Sequence, residues 1–454
     1  MYDVVVIGAG PGGYVAAIRS AQLGLKVACI EKRSTLGGTC LNVGCIPSKT
    51  LLHSSQWYWQ LEKEGAHQGV CFSSLSYDWK VMQERKETVV TQLTKGIEGL
   101  FKKNKIDRYT GHASFKDPHT ITVGSETLQA KSVILATGSE PIALPFLPFD
   151  EQRILSSTGA LALSSVPKKL LIVGAGIIGV ELGSVYRRLG SEVTFIEFLD
   201  RICPGFDGDL SKQLLHSLTA QGMNFLLSHK VVSAQGTTLT VQGADKEVQM
   251  TADAVLVAVG RRPFSEGLGL EKAGVQKTEK GFIPIDASFR TSQPHIFAIG
   301  DLVDGPMLAH KASEEGSAVA ELIAGHQTSV DYLAIPNVAY TFPEVASVGL
   351  TEQEVKTRKI AYKVGKFPFK ANSRARCSGE EEGFVKILAD ASSHRLLGVH
   401  IISAHASEII SEATLAMRMK VTADDLAKTC NAHPTLSEAI KEAASAIVAA
   451  PIHI

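Results

Sequence analysis

Two stretches of the chain repeat one pattern of apolar, small and polar positions. In the first, an apolar run at 4–7 is followed by a glycine-rich turn, an alanine-rich stretch to Leu23 and a second apolar run at 27–30. Short uninterrupted apolar runs are typical of parallel strands that are buried on both faces. The pattern therefore predicts a strand, a helix and a second parallel strand at the start of the chain.

The second stretch repeats this pattern with the same spacing. A predicted strand at 169–173 leads into a glycine-rich turn, a helical stretch and a strand at 193–196. From the first glycine of the turn to the acid that ends the second strand there are 23 positions in both copies (Gly8 to Glu31, Gly174 to Glu197). An internal repeat of a whole unit indicates two nucleotide sites rather than one chance match.

Each unit carries the residues that a dinucleotide site needs. The glycines of the two turns allow a tight bend and a close approach to a pyrophosphate, and the following helix presents free N–H groups; they are Gly8, Gly10 and Gly13, then Gly174, Gly176 and Gly179. Glu31 and Glu197 are placed to accept from ribose hydroxyls. An acid at 197 favours NAD, while Arg201, four positions further on, leaves NADP open.

The remaining sequence changes character twice. Mixed-charge sequence over 51–105 predicts a pair of solvated helices, and three prolines at 141, 145 and 148 predict a linker. Further strands are predicted at 120–123, 131–135 and 255–259, with short strands over 283–300. From 337 the pattern is that of an antiparallel α+β domain, with strands at 339–342, 346–349, 361–367, 383–388 and 397–402 and helices at 406–419, 422–429 and 435–448.

Composition narrows the class of protein. A chain of 454 residues is long enough for two to four domains, and 44% apolar with 20% charged residues is ordinary for a globular enzyme. Lys plus Arg and Asp plus Glu both number 46, so no charge excess points to nucleic acid or to an anionic membrane surface. No apolar run approaches the roughly 18 residues of a membrane span, and we expect no secretory signal before the first strand. Seven cysteines, mostly isolated, suit a reducing compartment.

Two of those cysteines suggest chemistry. Cys40 and Cys45 lie five positions apart in a glycine-rich stretch, 37–49. A single cysteine is a packing residue by default. A pair beside a nucleotide site favours a redox function, in which any disulfide is catalytic.

Three further places are candidates for ligand or proton chemistry. The strand that ends in small residues at 136–139, with Thr137 and Gly138, would let the chain pass close to a ligand. Asp301 follows an apolar run and precedes 307–310 at a helix start, so it would either hold a polar part of the first cofactor or cap a helix. His433, with Glu438 five positions on, would either transfer protons or serve as a structural residue at a helix start.

Together these pieces resemble the flavoprotein disulfide reductases with two dinucleotide-binding domains. The motifs that carry the resemblance extend over nearly the whole chain and read GGTCLNVGCIPSK, GAGIIGVELGSV, AVGRRP, AIGD, NSRA and AHPTLSEA. Ser48 before Lys49 is similar to the lipoamide branch of that family, and the lack of a second cysteine pair near the end argues against mercuric and thioredoxin-type reductases. The chain departs from the family pattern at Gly111-His112-Ala113 and at Arg376-Cys377-Ser378.

The resemblance implies a fold and a domain order. The fold class is α/β, with two Rossmann-like domains for FAD and NAD and a C-terminal α+β dimerisation domain. The implied segments are 1–145 for FAD, 146–270 for NAD, 271–336 completing the FAD domain, and 337–454 as the interface of a homodimer.

The resemblance also implies roles for individual residues. Cys40 and Cys45 would form a disulfide, with Cys40 attacked by a dithiol substrate and Cys45 facing the flavin. His433, oriented by Glu438, would act as the base from the other subunit. Lys49, paired with Glu181, would lie near the flavin ring. The other implied contacts are Gly8, Gly10, Gly13, Glu31, Ala113, Thr137, Gly138, Asp301, Met307, Leu308, Ala309 and His310 for FAD, and Gly174, Gly176, Gly179, Glu197, Val231 and Gly260 for NAD.

The activity implied is the oxidation of protein-bound dihydrolipoamide with NAD⁺. The implied partners are the lipoyl-carrying subunits of 2-oxo acid dehydrogenase or glycine cleavage complexes, without nucleic acid or membrane. The expected location is the cytoplasm, or the mitochondrial matrix if a transit peptide was removed. Three alternatives remain: a glutathione- or mycothiol-type disulfide reductase, a non-catalytic subunit with a structural FAD, and a soluble transhydrogenase, which would lack the cysteine pair.

Overall fold

The computed structural model describes residues 1–244 and 246–454. The first region contains seven strands and four helices. In chain order they are β1 (Tyr2–Ile7), α1 (Pro11–Gln22), β2 (Val27–Glu31), α2 (Gly38–Val43), α3 (Cys45–Glu64), α4 (Trp79–Lys103), β3 (Asp107–Thr110), β4 (Ala113–Asp117), β5 (Thr120–Val123), β6 (Glu126–Leu135) and β7 (Ser139–Pro141).

The core of this region is a parallel sheet. β1 lies at its centre, between β2 and β6, and β3 pairs with β2. Val4 and Val6 pack into one hydrophobic cluster while Val5 and Ile7 pack into another, so β1 is buried on both faces, as its apolar sequence predicts. Strands β4 and β5 extend the sheet in antiparallel pairing beyond the long β6.

The second region repeats the parallel sheet. Its elements are β8 (Ile154–Leu155), α5 (Ser157–Leu161), β9 (Lys169–Val173), α6 (Ile177–Arg188), β10 (Glu192–Ile196), α7 (Gly208–Ala220), β11 (Asn224–Leu226), β12 (Lys230–Gln235), β13 (Thr238–Gln242), β14 (Glu247–Thr251), β15 (Ala254–Val257) and β16 (Arg261–Pro263). The parallel order is β11-β10-β9-β15-β8, and β12, β13 and β14 form a separate antiparallel sheet.

The chain then returns to the first sheet. This segment contains α8 (Leu270–Ala273), β17 (Ile296–Ala298) and α9 (Ala309–Ile323). β17 pairs in parallel with β6, and α9 packs along α1. The helices approach closely because both carry glycine at the contact: a Cβ on Gly316 would lie 2.4 Å from the carbonyl oxygen of Gly12.

The last region is an antiparallel sheet covered by helices. Its elements are β18 (Asn337–Ala339), β19 (Glu344–Gly349), α10 (Glu352–Thr357), β20 (Tyr362–Pro368), α11 (Ser373–Ser378), β21 (Phe384–Asp390), β22 (Leu396–Ser403), α12 (Ala406–Arg418), α13 (Ala423–Lys428) and α14 (Glu438–Val448). The strand order is β18-β19-β22-β21-β20, and α12, α13 and α14 share one hydrophobic cluster with this sheet.

The predicted fold class is confirmed, and several predicted elements shift. Two helices do occupy 51–105, but the first begins at Cys45, inside the cysteine motif. The first proline of the predicted linker, Pro141, ends β7, which pairs with β16 and so joins the two nucleotide regions. Of the short strands predicted over 283–300, only β17 forms, and Arg290 makes an isolated bridge to its residue Phe297. The predicted strand at 339–342 lies earlier, at β18, and the last helix begins at Glu438 rather than at 435.

Among the described residues, no helix combines the length and apolar character needed to cross a membrane.

Candidate active site

One cavity of about 1640 Å³ connects the two glycine-rich turns. Both cysteines of the motif line it, together with Lys49 and Glu181. The other predicted contact residues that line it are Gly8, Gly10, Glu31, Ala113, Thr137, Gly138, Gly174, Gly176, Glu197, Val231, Gly260, Asp301, Met307, Leu308, Ala309 and His310. The fold therefore gathers both nucleotide units and the cysteine pair around one space.

The first glycine turn is shaped to receive a phosphate group. Gly8 has φ +100°, and a Cβ there would lie 2.4 Å from the carbonyl oxygen of Ala136. A Cβ on Gly38 would lie 2.5 Å from the Cα of Gly10, so only glycines fit this cradle. Helix α1 starts here without an acidic residue in its first turn, so its N–H groups and positive dipole end are available to an anion.

Glu31 is tied to the same turn. Its Oε2 accepts a hydrogen bond from the backbone N of Ala9 at 2.9 Å, and its Oε1 accepts from the N of Arg33 at 2.9 Å. The side chain is buried except at the cavity. These contacts hold the carboxylate where a ribose of a dinucleotide would lie beside the turn.

The second turn reproduces this geometry. Gly174 has φ +98°, and a Cβ there would lie 2.6 Å from the carbonyl oxygen of Ala258. The Oε2 of Glu197 accepts from the N of Ala175 at 2.6 Å, and its Oε1 accepts from the N of Leu199 at 2.8 Å. Arg201, which kept NADP open, is exposed and does not line the cavity, and its Nη2 donates to the carbonyl of Pro204 at 3.4 Å.

Gly13 and Gly179 differ from the other predicted contacts because they do not line the cavity. A Cβ on Gly13 would lie 1.8 Å from the carbonyl oxygen of Gly8, and one on Gly179 would lie 2.4 Å from that of Gly174. These glycines let each helix close against its own turn, which is a packing role rather than a contact with the ligand.

The cysteine pair lies where two helices meet. Cys40 is in α2, Gly44 breaks the helical conformation, and Cys45 is the first residue of the 20-residue helix α3. A hydrogen bond from the Cys40 thiol, opposed by burial and helped by the charge of Lys49, lowers the pKa of Cys45 to about 7. The same hydrogen bond and burial raise the pKa of Cys40. The reduced pair is therefore arranged as a thiolate at Cys45 and a thiol at Cys40, as a helix N-terminus also favours.

Lys49 lies one turn along α3 from Cys45 and faces the same cavity. Its Nζ contacts the Oε2 of Glu181 at 2.7 Å and lies 4.6 Å from the centre of the Tyr340 ring. The N of Tyr340 donates to the Oε1 of Glu181 at 2.9 Å. Burial works against the charge of Lys49, but Glu181 outweighs it and the pKa of Lys49 is raised. The lysine is thus a fixed cation beside the dithiol.

Asp301 lies at the edge where β6 and β17 end side by side. It belongs to a 3₁₀ turn, Gly300–Leu302, and its Oδ2 accepts from the hydroxyl of Ser139 at 2.5 Å. The residue preceding α9 is Leu308, so Asp301 does not cap that helix. Thr137 donates from Oγ1 to the carbonyl of Phe264 at 2.5 Å. Helix α9 also starts without an acidic residue and directs its N-terminus into the cavity.

A buried ion pair holds the turn that carries Asp301. Lys311 and Glu315 lie one helical turn apart on α9 and are both buried, with Nζ to Oε1 at 3.2 Å. Glu315 accepts a hydrogen bond from the N of Gly300 at 2.7 Å, and Lys311 donates to the carbonyl of Gly300 at 3.0 Å. Sequence reasoning missed this pair, although its i,i+4 spacing was a usable signal. It missed Tyr340 too, for which no local signal exists.

His433 and Glu438 form a pair at the start of α14, outside the cavity of their own chain. The Nδ1–H of His433 donates to the Oε1 of Glu438 at 2.9 Å, and the ring is 70% exposed. Burial alone would raise the pKa of Glu438, but hydrogen bonds from Thr435 and His433 lower it. Because a carboxylate only accepts, Nδ1 carries a proton, and in the neutral imidazole Nε2 then presents a free lone pair.

Within 1–244 and 246–454, no group of three or more His, Cys, Asp and Glu side chains is arranged to hold a metal ion. The donor set instead suits two dinucleotides, with helix N-termini, glycine cradles and a fixed carboxylate at each turn.

Comparison with known proteins agrees with this geometry. Residues 2–316 match the family model described as pyridine nucleotide-disulphide oxidoreductase, and residues 335–444 match the dimerisation domain of that family. The chain is 52% identical to dihydrolipoyl dehydrogenase 1, mitochondrial, of Arabidopsis thaliana, over 100% of this chain and 91% of the relative. It is 51% identical to dihydrolipoyl dehydrogenase of Trypanosoma brucei brucei, over 100% and 98%. The crystal structure of LpdA from Mycobacterium tuberculosis superposes with a TM-score of 0.90 at 27% identity, over 97% of this chain and 98% of LpdA.

Proposed function

Because this chain belongs to the pyridine nucleotide-disulphide oxidoreductase family, we propose that it oxidises dihydrolipoamide to lipoamide through a Cys40–Cys45 disulfide, with NAD⁺ as the final acceptor. The chain is a flavoprotein disulfide oxidoreductase that uses FAD and NAD. The observation that carries the proposal is the position of the cysteine pair, in one cavity between two glycine turns.

The first step is a thiol–disulfide exchange. A thiolate of dihydrolipoamide attacks the Sγ of Cys40, the bond between Cys40 and Cys45 breaks, and Cys45 leaves as a thiolate. The second thiol of the substrate then attacks the mixed disulfide, which releases lipoamide and leaves the enzyme as a dithiol. The lowered pKa of Cys45 supports its role as the leaving group, since a more acidic thiol leaves faster.

The remaining residues hold cofactors and charge. The bound FAD would supply a two-electron acceptor for the dithiol, and NAD⁺ would supply the final hydride acceptor. We assign Glu31, Asp301 and the first glycine turn to FAD, and Glu197 with the second turn to NAD. Lys49, fixed by Glu181, supplies positive charge beside Cys45.

We assign the base to His433 of the opposite subunit. Its free Nε2 and its exposure suit proton transfer from a substrate thiol, and it does not reach the cavity of its own chain. It lies within the segment that matches the dimerisation domain. A complete site would then need two chains.

We further propose lipoyl-carrying subunits of 2-oxo acid dehydrogenase or glycine cleavage complexes as partners, in the cytoplasm or the mitochondrial matrix. The support is the similarity to the dihydrolipoyl dehydrogenases, some of them named as mitochondrial.

The dithiol assignment is tested with Cys45→Ser, using Cys71→Ser at an exposed cysteine as the matched control. Cys45→Ser should keep FAD and lose lipoamide turnover, whereas the control should keep both. Turnover by Cys45→Ser would refute the dithiol mechanism. Rates of the unmodified protein with lipoamide, glutathione disulfide and NADP⁺ separate it from other disulfide reductases.

The origin of the base is tested by mixing subunits. His433→Gln homodimers should react slowly with dihydrolipoamide although FAD is bound. A mixed dimer of one Cys45→Ser chain and one His433→Gln chain should regain activity, because one of its two sites then combines an intact dithiol with an intact histidine. Mixed dimers without activity would place the base in the same chain.

A further inference from the structure

Arg261 joins the two nucleotide regions inside the cavity. It lies in β16, whose partner β7 continues from the end of the first sheet. Its Nε donates to the Oγ of Ser139 at 2.7 Å and its Nη2 to the carbonyl of Ser139 at 2.7 Å. The Ser139 hydroxyl donates in turn to the Oδ2 of Asp301 at 2.5 Å.

The hydrogen bonds from Arg261 to Ser139 and from Ser139 to Asp301 form a relay, and the chemistry of these groups sets its direction. A guanidinium has no acceptor, so the Ser139 oxygen must accept from Arg261. An ionised carboxylate has no donor, so the single proton of the hydroxyl must point to Asp301. The two bonds from Arg261 to one residue also fix the orientation of Ser139. Arg261, in the second nucleotide region, therefore orients Ser139, and Ser139 in turn holds the carboxylate of Asp301 in the first region.

We propose that Arg261 is a positioning residue of the flavin centre, which holds Asp301 through Ser139 and adds positive charge beside the dithiol. The proposal rests on the proposed function, because that function assigns Asp301 to FAD.

The charge contribution follows from the surroundings of Cys45. Arg261 lines the same cavity as Cys45, together with Cys40, Lys49, Glu181 and Tyr340. These are the titratable groups whose charges interact with that thiol. Burial lowers the pKa of Arg261, and Asp301, Cys45 and Glu140 act against that shift. Removing this cation should therefore make the Cys45 thiolate harder to form.

The neighbouring arginine is a matched control. Arg262 is 57% exposed, pairs with Glu140 at 2.7 Å and does not line the cavity. It shares the strand and the charge of Arg261 but touches neither Ser139 nor Asp301.

The test compares Arg261→Lys, Arg261→Met, Ser139→Ala and Arg262→Met in the FAD-loaded dimer. One readout is the rate at which FAD is lost on dilution. The other is the pH midpoint of the thiolate-to-flavin charge-transfer band after two-electron reduction. We expect all three relay variants to lose FAD about tenfold faster, as expected for a missing charge-assisted hydrogen bond. Only Arg261→Met should raise the midpoint, by up to about 1 pH unit.

Each part can fail separately. Wild-type FAD retention in Arg261→Met and Ser139→Ala would overturn the positioning role, and an unchanged midpoint in Arg261→Met would overturn the charge role. Arg262→Met should match the unmodified protein, and an equal effect there would also overturn the inference. If Arg261→Met does not fold, Arg261→Gln provides the uncharged variant. Unmodified protein without FAD or without the band would refute the proposed function itself, whereas an intact band with inert Arg261 variants refutes only this inference.

Discussion

The two strand–helix–strand units are alike where they meet a dinucleotide and different where they meet the rest of the protein. In both, a glycine with φ near +100° begins the turn and a glutamate accepts a hydrogen bond from the residue after that glycine. Each glutamate also accepts a second hydrogen bond, from the backbone N two residues further on. The repeated spacing therefore produces a repeated local structure.

The units differ at the second residue of the helix. In the first unit this residue is Gly12, and a Cβ there would lie 3.0 Å from the carbonyl oxygen of Ala312 on α9. In the second unit the equivalent residue is Ile178, whose side chain faces the cavity and is partly exposed. Glycine thus admits α9 against the start of α1, whereas the start of α6 presents Ile178 to the cavity.

They also differ just after the acid. Lys32 follows Glu31 and packs with Nζ 3.7 Å from the centre of the Phe264 ring, whereas Phe198 follows Glu197 and is 70% exposed. Val259 and Leu199, which line the cavity together with Phe198, are exposed as well. One motif thus makes a covered site, which suits a cofactor that stays, and an open apolar site, which suits a ligand that exchanges.

The largest expected effect comes from exchanging Gly12 of α1 and Ile178 of α6, the residues that distinguish the two helices. Gly12→Ile would force its side chain into Ala312 and Ile299, which lie 3.0–3.1 Å from the position of a Cβ. Such overpacking costs about 1–3 kcal/mol and would separate α1 from α9. We expect the variant to lose FAD during gel filtration, and the reciprocal Ile178→Gly to retain it. Equal FAD content in both would show that the covering helix does not decide retention.

The next effect concerns the acid of the open site. Glu197→Ala would remove the acceptor of the N–H groups of Ala175 and Leu199 as well as the proposed contact with the ribose. Since hydrogen bonds to a charged group contribute about 1.5–3 kcal/mol, we expect KM for NAD⁺ to rise roughly 10- to 100-fold, with FAD content unchanged. Glu192→Ala, at the exposed first residue of β10, the strand that Glu197 follows, is the control. A similar rise in both variants would contradict a specific role of Glu197.

A smaller effect is expected on the ionisation of Cys45, which differs from that of Cys203 in the second region. Cys45 ionises as the pH rises through about 7, whereas burial raises the pKa of Cys203 in the second unit. Lys49→Met removes a cation that lowers the pKa of Cys45, so the pH midpoint of the thiolate charge-transfer band should move upward by about 1 unit. Lys63→Met, near the other end of α3, should leave it in place. A midpoint that does not move would exclude Lys49 as the stabilising charge.

The smallest effect concerns the exposed aromatic ring. Phe198→Ala should raise KM for NAD⁺ roughly twofold to tenfold, because a stacked aromatic contact contributes about 0.5–1.5 kcal/mol. Leu93→Ala, an exposed apolar residue on α4, serves as the control. An unchanged KM in Phe198→Ala would show that the apolar rim does not contact the ligand.

The fold could be predicted from the sequence wherever a pattern is local. Apolar runs and glycines predict strands β1, β9 and β10 and the turns after β1 and β9. A parallel strand that is buried on both faces is apolar along nearly its whole length, so it is visible in the sequence. The prediction was wrong where pairing partners are distant. No strand is predicted over Ser139–Pro141, where β7 forms, because its partner β16 lies more than a hundred residues away.

The candidate site shows the same division. Cys40, Cys45 and the two glutamates could be selected from their spacing. Ser139 and Arg261 could not, because their roles depend on where β6, β16 and β17 end relative to one another. Gly13 and Gly179 could be found as part of the motif, but only the structure distinguishes their packing role from contact with the cavity.

The sequence by itself determined the two nucleotide units. It also determined that the cysteine motif lies directly after the first unit. Each of these features depends on residues within one short stretch. Tertiary structure decided which unit is covered and which is open, because that depends on α9 reaching α1 across a glycine contact. It also decided that the two units and the dithiol share one cavity, since this requires strands that are distant in sequence to end at the same place. His433 lies outside that cavity, on a segment that matches a dimerisation domain, so under the proposed function the site is completed only in the assembly.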